Sequence, residues 1–475
     1  MELNGKRVLV VGLGKSGVAS ALFLKARGAR VTVSDTKSGD ELRNEIPVLL
    51  DHGITVETGG HGDRTFRGQD MIVVSPGVPV DAPPLAQARA QGVTVIGEIE
   101  LAARFLPGSI VAITGSNGKT TTTTLAGEIM TAAGFPALVG GNIGTPAISL
   151  AEQAQPETVI VLEVSSFQLE TIQTFCPKVA VVLNVTPDHL DRHRTFEAYT
   201  DAKARIFENQ QASDFAVLNA DDPTCVAMAT RTRAQVFWFS REKELQQGAE
   251  VRDGAIVFRD ARKELRPVRS SGPDSVFVGP NERQTIMLVS EIPLKGAHNL
   301  ENVLAAVCAG VLMGCAPEKI RQAVREFKAV EHRLEFVASI GGVDYYNDSK
   351  ATNVDATIKA LESFPANIHL ILGGKDKGSD YTVLNDLVRQ RVKRVYTIGA
   401  AAAKIESQIK AAEIVHAETL DHALRKAHAA ARPGDVVLLA PACASFDQFK
   451  NYEHRGHAFK EIVRALAADT RVSST

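Results

Sequence analysis

The sequence predicts an α/β protein made of three consecutive domains. Its 475 residues correspond to three domains at about 150 residues each. Short apolar runs alternate with helical patterns along the whole chain, which is typical of parallel α/β units. Changes in this pattern place the boundaries near residues 97 and 329, so the predicted domains are residues 1–97, 98–329 and 330–475.

The composition is that of a soluble globular protein, with 44% hydrophobic and 23% charged residues. A net charge of −2 gives no electrostatic reason to expect nucleic acid or a membrane surface as a partner. The five cysteines are scattered without a CxxC pair, which argues against a disulfide scaffold and a structural zinc site. No apolar run reaches the roughly 18 residues of a membrane span, and no signal-peptide pattern begins the chain, so we expect a cytoplasmic protein.

Each predicted domain has its own strands. In the first domain the apolar runs cover residues 7–11, 30–34, 71–75 and 93–96. In the second they cover 109–114, 158–163, 178–184 and 215–219, followed by a polar stretch of peripheral strands and loops at 241–290, with a short strand at 255–258, and by helices at 298–313 and 317–327. The third opens with a hairpin around Gly341-Gly342 and has strands at 334–340, 343–347, 369–372, 394–398 and 435–440.

A glycine fingerprint follows the first predicted strand. Gly12, Gly14 and Gly17 match G-x-G-x-x-G between a strand and a helix, and Asp35 follows about 20 residues later. Such glycines let the backbone approach a pyrophosphate at a helix N-terminus, and the acid takes a ribose hydroxyl. The fingerprint fits NAD or FAD, the diphosphate of another nucleotide such as a UDP-sugar, or a merely structural turn. Ser75-Pro76-Gly77 is expected beside it on the same sheet edge.

A phosphate loop is predicted between the strand at 109–114 and a Thr-rich helix. Backbone N–H groups of a glycine-rich turn and a lysine cradle polyphosphate, and the threonine after the lysine reaches Mg²⁺. The full Walker pattern is not met, because its first glycine would fall at Ile113. We nevertheless predict ATP binding here rather than a glycine turn with a solvated lysine. The loop residues are Gly115, Ser116, Asn117, Gly118, Lys119, Thr120 and Thr121.

Two further strand ends carry candidate metal ligands. Glu163 ends the strand at 158–163, where a carboxylate suits Mg²⁺ beside a phosphate loop. His189 follows the next strand; by itself it would be a hydrogen-bonding loop residue, but two such strand ends in one parallel sheet favour a functional role. Lys203, on the helix that follows, is by default a solvated surface lysine.

Three strand-to-loop turns of the third domain carry a second group of candidate site residues. They lie in the runs 347–353, 373–378 and 441–449. Asp348 or Ser349 is expected to cap a helix. Either this residue only caps the helix, or the remaining free N–H groups of the first turn bind an anion. Thr352, Lys377 and Ser445 are the residue types that would hold a small dicarboxylate. The run 296–302 can be an ordinary helix start.

In this order the motifs resemble the Mur ligases, which are ATP-dependent amide-forming ligases of peptidoglycan synthesis, over essentially the whole chain. The motifs are TGSNGKTT, LEVSSFQLE, NVTPDHLDRH, GAHNLEN, EHRLE, NDSKATN, GGKDKG and PACASFDQF. The resemblance implies a Rossmann-like UDP-binding N-terminal domain, a central P-loop-type ATPase domain with a mixed sheet, and a Rossmann-like C-terminal domain. NDSKATN and PACASFDQF, with GLGKSG and SPG near the start, indicate the members that add D-glutamate to UDP-N-acetylmuramoyl-L-alanine through an acyl phosphate.

The resemblance also implies a role for individual residues. The catalytic set is Lys119, Asn142, Glu163, His189 and Lys203. Beside the phosphate loop, the ATP-binding set is Asn299, Asn302, Arg333 and Asp348. The UDP-substrate set is Ser16, Asp35, Thr36, Ser75, Gly77 and Asn142, and the D-glutamate set is Thr352, Lys377, Ser445 and Tyr452. Two Mg²⁺ ions are implied, with the metal set Thr120, Glu163, His189 and a carbamylated Lys203.

Several alternatives stay open. Other family members often carry Arg where this chain has Lys37, which leaves the uracil-side contacts open, and Lys375 rivals Lys377 for D-glutamate. The chain could be another Mur or folylpolyglutamate-type ligase that adds a different amino acid. An NAD-dependent oxidoreductase would explain Gly12–Gly17 and Asp35 but not the phosphate loop, and a nucleotide-binding regulator would keep the fold without turnover. No apolar stripe indicates a dimer, so a monomer is predicted.

Overall fold

A computed structural model describes residues 1–62, 64–261, 283–294, 296–328 and 330–472. The chain divides into two compact units, Met1–Ile292 with Glu301–Phe327, and Pro293–Leu300 with Lys328–Thr475. The described residues form three separate sheets, and α-helices connect many of the strands. Among the described residues, no helix combines the length and the apolar character needed to cross a membrane.

The N-terminal sheet is entirely parallel. Its elements are β1 (Arg7–Val11), α1 (Lys15–Ala26), β2 (Arg30–Ser34), α2 (Ile46–Asp51), β3 (Thr55–Glu57), β4 (Met71–Val74), α3 (Pro83–Ala90), β5 (Thr94–Gly97) and the following α4 (Glu98–Ala103). The strand order is β3-β2-β1-β4-β5. Central β1 and β4 are near-continuous apolar runs because both faces of a parallel sheet are covered. The carboxyl ends of β1, β2 and β4 therefore share one edge.

The central sheet is mixed, as predicted. Its strands are β6 (Ser109–Thr114), β7 (Ala137–Gly141), β8 (Val159–Glu163), β9 (Val179–Val182), β10 (Phe215–Asn219), β11 (Gln235–Ser240), β12 (Gly248–Arg252), β13 (Ala255–Arg259) and β14 (Arg283–Leu288). In the described residues their order is β14-β13-β12-β11-β10-β9-β6-β8-β7. The pairs from β7 to β12 are parallel, and β13 is antiparallel to both of its neighbours.

The helices around this sheet are α5 (Lys119–Ala132), α6 (Ser166–Leu169), α7 (Leu190–His193), α8 (Phe196–Ala204), α9 (Pro223–Met228), α10 (Ala297–Leu312) and α11 (Pro317–Glu326). Short 3₁₀ turns occur at Ala147–Leu150, Arg205–Phe207, Ala229–Arg231, Val289–Glu291 and Thr382–Leu384. Part of the polar stretch predicted as peripheral, residues 262–282, lies outside the described residues. The neighbouring order β9-β6-β8-β7 brings four loops to one edge, including the phosphate loop and the end of β8 at Glu163.

The C-terminal sheet begins with the predicted hairpin, whose Gly341 and Gly342 both have positive φ. Its elements are β15 (Glu335–Ile340), β16 (Val343–Asn347), α12 (Val354–Glu362), β17 (Ile368–Gly373), α13 (Asn385–Arg391), β18 (Val392–Ile398), α14 (Ala402–Gln408), β19 (Glu413–Glu418), α15 (Leu420–Ala430), β20 (Val436–Leu439) and α16 (Tyr452–Val472). The strand order is β15-β16-β20-β17-β18-β19, and all pairs after the hairpin are parallel.

The helix after β16 does not begin where the sequence predicts. Asp348 or Ser349 was the expected cap, but α12 starts at Val354 and its cap is Asn353, whose side chain accepts from the Ala356 N–H at 2.8 Å. The intervening residues form a turn in which the Ala351 N–H donates to the Asp348 carbonyl at 2.9 Å. This turn leaves Asp348 and Ser349 buried at the end of β16.

Candidate active site

The phosphate loop joins β6 to α5 and depends on two glycines with positive φ, Gly115 at +151° and Gly118 at +85°. A Cβ at residue 118 would lie 2.1 Å from Oδ1 of Asn302, so only glycine fits both the backbone and the space. The predicted ATP residue Asn302 is therefore packed directly against the loop. The Lys119 ammonium donates to the carbonyls of Gly115 and Ser116, each at 2.9 Å, which places its charge at the loop.

A buried carboxylate connects the phosphate loop with a second predicted substrate residue. Glu163 is 2% exposed. Its Oε2 accepts from the Thr120 hydroxyl at 2.8 Å, and its Oε1 accepts from the Asn142 amide at 2.9 Å. Carboxylate and hydroxyl oxygens are the ligands that Mg²⁺ prefers. Three of the residues that the sequence singled out thus meet at the shared edge of β6, β7 and β8.

The segment after β9 clamps the phosphate loop through residues that the sequence analysis missed. The Asn117 N–H donates to Oδ1 of Asn184 at 2.8 Å, and the Ser116 hydroxyl donates to the Thr186 carbonyl at 2.9 Å. The Tyr199 hydroxyl lies 3.1 Å from the Ser116 hydroxyl. Position was the available signal: Asn184 lies two residues after the end of the buried strand β9, and Tyr199, four positions before Lys203 on a helix, shares its face.

Lys203 is not the solvated surface lysine that was expected by default. Its side chain is buried at 1% exposure, because α8 packs its Lys203 face inward. Its ammonium donates to the Gly115 carbonyl at 2.8 Å and lies 4.5 Å from the centre of the Tyr199 ring. Burial, and secondarily the charge of Lys119, holds the pKa of Lys203 well below its usual range. A lysine of lowered pKa presents a neutral, nucleophilic amine.

His189 precedes α7 at the N-cap position and is in the left-handed conformation, with φ of +53°. Its side chain is 42% exposed, and its Nε2 lies 3.7 Å from the Asp188 carboxylate. The imidazole meets the Phe167 ring edge-on at a centroid separation of 5.0 Å. His189 lies on the loop after β9, two strands from Glu163 along the same edge.

The N-terminal cleft lies at the carboxyl ends of β1, β2 and β4 and has a volume of about 350 Å³. Its lining includes Lys37 and all five N-terminal residues that were predicted for the UDP-substrate. These five are Ser16, Asp35, Thr36, Ser75 and Gly77. The Asp35 carboxylate accepts from the backbone N–H groups of Leu13 at 2.6 Å and Lys37 at 2.8 Å. Asp35 thus builds the loops of the cleft, a role beyond the ribose contact that the fingerprint suggests.

Two glycines of the fingerprint are required by packing. A Cβ at Gly17 would lie 1.8 Å from the carbonyl oxygen of Gly12. Gly12 has a φ of +92°, and its carbonyl also accepts from the Ser75 hydroxyl at 2.8 Å. The strand, the helix start and the neighbouring strand end are therefore held together by a single tight turn.

In the second unit, Asp348 is buried at the end of β16. Burial raises the pKa of Asp348 to about 6, although the charge of Arg333 opposes the rise. The Leu334 N–H also donates to its Oδ1, at 3.3 Å. Two residues predicted for the nucleotide, Arg333 and Asp348, are therefore close enough to interact. Asn299, another predicted nucleotide residue, is 8% exposed on α10.

The loops predicted to bind D-glutamate share the adjacent ends of β16, β20 and β17. The Ala442 N–H donates to the Ala351 carbonyl at 2.9 Å, next to Thr352. Lys375 and Ala444, next to Ser445, form an antiparallel β-bridge. Both Lys375 and Lys377 are exposed, so the choice between them stays a prediction.

Arg455, which the sequence analysis missed, ties these loops together. It is 1% exposed, and it donates to the carbonyls of Ser349 at 2.8 Å and Cys443 at 3.1 Å. Burial lowers the pKa of Arg455 to about 10. The Ser349 hydroxyl donates to the Tyr452 carbonyl at 2.9 Å, which brings the start of α16 to the same edge. An Arg three residues into a helix carries no local signal of such burial.

We expect Asp348→Asn to stabilise the fold at pH 7.5 while weakening nucleotide binding. The folded pKa, about 6, exceeds the ordinary 3.8, so the cost of the buried charge is absent below pH 3.8, grows with pH and is complete above pH 6. At pH 7.5 the free energy of unfolding of Asp348→Asn should exceed that of the wild type by about 3 kcal/mol at most, and below pH 3.8 the two proteins should be equally stable. Urea unfolding at pH 5 and pH 7.5 measures it. Asp355→Asn, at a half-buried ion pair with Lys359, is the control; an equal pH response in both variants would contradict the burial argument.

Three family models match the chain. They are described as the Mur ligase MurD-like N-terminal domain over residues 6–97, the Mur ligase middle domain over 113–310 and the Mur ligase glutamate ligase domain over 332–443. The chain is 64% identical to a UDP-N-acetylmuramoylalanine--D-glutamate ligase of Koribacter versatilis, over 98% of this chain and 99% of that protein. It is 58% identical to the protein of the same name in Acidobacterium capsulatum, over 98% and 97%.

Solved structures share the fold at low sequence identity. The UDP-N-acetylmuramate-alanine ligase MurC of Thermotoga maritima matches with a TM-score of 0.56 and 19% identity, covering 97% of this chain and 99% of that one. A pseudomurein peptide ligase type C of Methanothermus fervidus matches with a TM-score of 0.58 and 19% identity, over 97% and 100%. The likeness to these two structures concerns the fold.

Proposed function

Because the chain belongs to the Mur ligase family, we propose that it is an ATP-dependent ligase that adds D-glutamate to UDP-N-acetylmuramoyl-L-alanine. One arrangement carries the proposal: Glu163 accepts hydrogen bonds from Thr120 of the phosphate loop and from Asn142. Asn142 is assigned to the UDP-substrate, so these contacts support a site in which the phosphoryl donor and its acceptor meet beside this carboxylate. Relatives that carry the name of this activity match nearly the full length of the chain.

The first chemical step is acyl activation. The L-alanine carboxylate of the UDP-substrate attacks the γ-phosphorus of ATP in line, and ADP leaves as an acyl phosphate forms. Lys119 offsets the charge on the transferring phosphoryl group, so its contribution is electrostatic and positional. Gly115, Ser116, Asn117, Gly118, Thr120 and Thr121 are assigned to the phosphates.

The carboxylate and hydroxyl oxygens around the loop fit Mg²⁺. Thr120, Glu163 and His189 would hold it, and a second ion would use a carbamylated Lys203. When bound, the ions neutralise phosphate charge. Carbamylation joins the neutral amine of Lys203 to CO₂ and releases one proton, which converts a cation into an oxygen-bearing anion. The buried setting and lowered pKa of Lys203 support this assignment, because only the uncharged amine reacts.

The second step is amide formation. The free amine of D-glutamate attacks the carbonyl carbon of the acyl phosphate, and inorganic phosphate leaves from the tetrahedral intermediate. Thr352, Lys377 and Ser445, with the backbone near Tyr452, are assigned to the D-glutamate carboxylates. Asn299, Asn302, Arg333 and Asp348 are assigned to the nucleotide, and the N-terminal cleft to the uridine diphosphate. We propose that the protein works as a cytoplasmic monomer.

The decisive experiment measures phosphate release from ATP and Mg²⁺ with UDP-N-acetylmuramoyl-L-alanine and one amino acid at a time. We expect release with D-glutamate and none with L-glutamate, L-alanine or meso-diaminopimelate. Release with a different amino acid would assign the chain to another ligase of this type. Absence of release with all four would refute the proposal, and binding of NADH in an absorbance titration would favour the oxidoreductase alternative.

A further inference from the structure

Arg192, on α7, reaches out of the central domain to the wall of the N-terminal cleft. Its Nη2 donates to the Val78 carbonyl at 3.0 Å, and its Nη1 donates to the Gly77 carbonyl at 3.5 Å. Both Gly77 and Val78 line the cleft. A guanidinium holds two neighbouring carbonyls with a fixed fork of donors, so the position of Arg192 fixes this wall.

The direction of Arg192 is set by Glu170. Nη2 of Arg192 donates to the Glu170 carboxylate at 3.0 Å, where the two side chains are 19% and 17% exposed. The other oxygen of Glu170 lies 3.5 Å from Nδ1 of His193, and Nε2 of that imidazole lies 2.9 Å from the Ser166 hydroxyl. Burial raises the pKa of Glu170, and Arg192 opposes the rise. The chain of contacts thus anchors Arg192 to α6.

A second path leads from Arg192 to His189. The guanidinium carbon lies 4.9 Å from the centre of the Phe167 ring. The His189 imidazole packs edge-on against the same ring, with centroids 5.0 Å apart, and His193 stacks on it at 5.2 Å. Phe167 is therefore shared by Arg192 and by the predicted metal ligand.

We propose that Arg192 is a positioning residue that holds the wall of the N-terminal cleft and His189, at the edge of the central sheet, in fixed positions relative to each other. The inference rests on the proposed function. Holding the diphosphate wall through Gly77 and Val78 fixes where the far end of the UDP-substrate lies. Contact through Phe167 fixes the orientation of the His189 imidazole, the predicted metal ligand. Misplacement by about 1 Å can cost a hundredfold in rate, so one guanidinium acting on both parts affects substrate affinity and turnover together.

The neighbouring Arg194 provides a matched control. Arg194 follows α7 and connects it to the segment after β4 through an ion pair with Asp81 at 3.2 Å. The side chains of Arg194 and Asp81 are 80% and 68% exposed. An exposed ion pair contributes little because water screens it. It touches neither a carbonyl of the cleft wall nor the Phe167 ring in the contacts that the structure describes for it.

The test compares Arg192→Met, Arg192→Lys and Arg194→Met by steady-state kinetics with each substrate varied. For Arg192→Met we expect the KM for UDP-N-acetylmuramoyl-L-alanine to rise about tenfold and kcat to fall about tenfold, with the KM for ATP unchanged. Arg192→Lys should recover only part of the loss, since an ammonium cannot fork between two carbonyls. Arg194→Met should match the wild type.

Calorimetric binding of UDP-N-acetylmuramoyl-L-alanine without ATP provides a readout that does not need turnover. Weaker binding to Arg192→Met, with binding to Arg194→Met unchanged, supports the role of Arg192 at the cleft wall even if the wild type shows no D-glutamate-dependent phosphate release, so failure of the proposed function is distinguished from failure of the inference. Kinetics and binding of Arg192→Met within twofold of the wild type would overturn the inference. An equal rise in both KM values, or equal losses in the Arg194 variant, would overturn it as well. If the methionine variant does not fold, the lysine variant is judged by the same criteria.

Discussion

Lys119→Ala will abolish D-glutamate-dependent phosphate release, with a loss of about a thousandfold or more. The ammonium of Lys119 is held at the phosphate loop by two carbonyls at 2.9 Å, where the γ-phosphate of ATP is proposed to bind. Negative charge spreads over the phosphoryl oxygens during transfer, and a fixed cation in a site with little water stabilises that charge strongly. Alanine leaves the loop backbone in place but removes the charge.

Calorimetry with UDP-N-acetylmuramoyl-L-alanine separates this effect from general damage. Binding should stay near the wild-type value, because the UDP-substrate is assigned to the N-terminal cleft and to Asn142. Lys25→Ala is the matched control, since its ammonium likewise donates to a carbonyl, that of Gly53, at 2.9 Å, and it should retain full activity. If Lys119→Ala lost binding of the UDP-substrate as severely as turnover, the assignment of Lys119 to ATP would be wrong.

Lys203→Ala will reduce turnover by about a hundredfold or more, and short-chain carboxylic acids will restore part of it. The side chain is buried against the Gly115 carbonyl and the Tyr199 ring, and burial holds its pKa well below the usual range, which favours the uncharged amine. A carbamate formed there would supply carboxylate-like oxygens to Mg²⁺. In the alanine variant, an added carboxylic acid can enter the vacated space and supply the same oxygens.

The rescue is measured as phosphate release against the concentration of acetate or propionate. Lys178→Ala is the control, because Lys178 also lies over an aromatic ring, that of Phe215 at 5.2 Å, but is 25% exposed. Wild-type activity should also fall in CO₂-depleted buffer and return with bicarbonate. A variant that no carboxylic acid rescues, together with wild-type activity indifferent to CO₂, would show that Lys203 acts only as an amine.

Runs of adjacent apolar residues are the local signal by which the sequence predicts many of the strands. The strands β1, β6 and β10 have the predicted bounds, because each contains a run of four apolar residues, which is a local signal. The strands β2 and β16, whose sequences contain polar residues, also have the predicted bounds. The strand β19, Glu413–Glu418, was not predicted, because its sequence EIVHAE has only two adjacent apolar residues. The order of strands in each sheet is likewise decided by packing between distant segments, and no local pattern encodes it.

The candidate site divides in the same way. Glycine turns and strand-end polar residues are local, so the phosphate loop and Glu163 could be singled out in advance. Lys203 and Arg455 look like surface residues, and only tertiary packing makes them 1% exposed. The capping position at Asn353 also escaped prediction, because two better-placed candidates, Asp348 and Ser349, were instead taken into the core.

In the N-terminal cleft, the residues that build the tight turn between β1 and α1 differ from those that can select the ligand. Gly17 is required by the carbonyl of Gly12, and the Asp35 carboxylate is engaged by two backbone amides. Neither requirement refers to the base or sugar of the ligand. A lineage could therefore exchange one nucleotide for another without touching the glycines or the acid. Discrimination must be built from other cleft residues, such as Lys37 and His61, and these are the positions where substrate preference can drift while the scaffold stays unchanged.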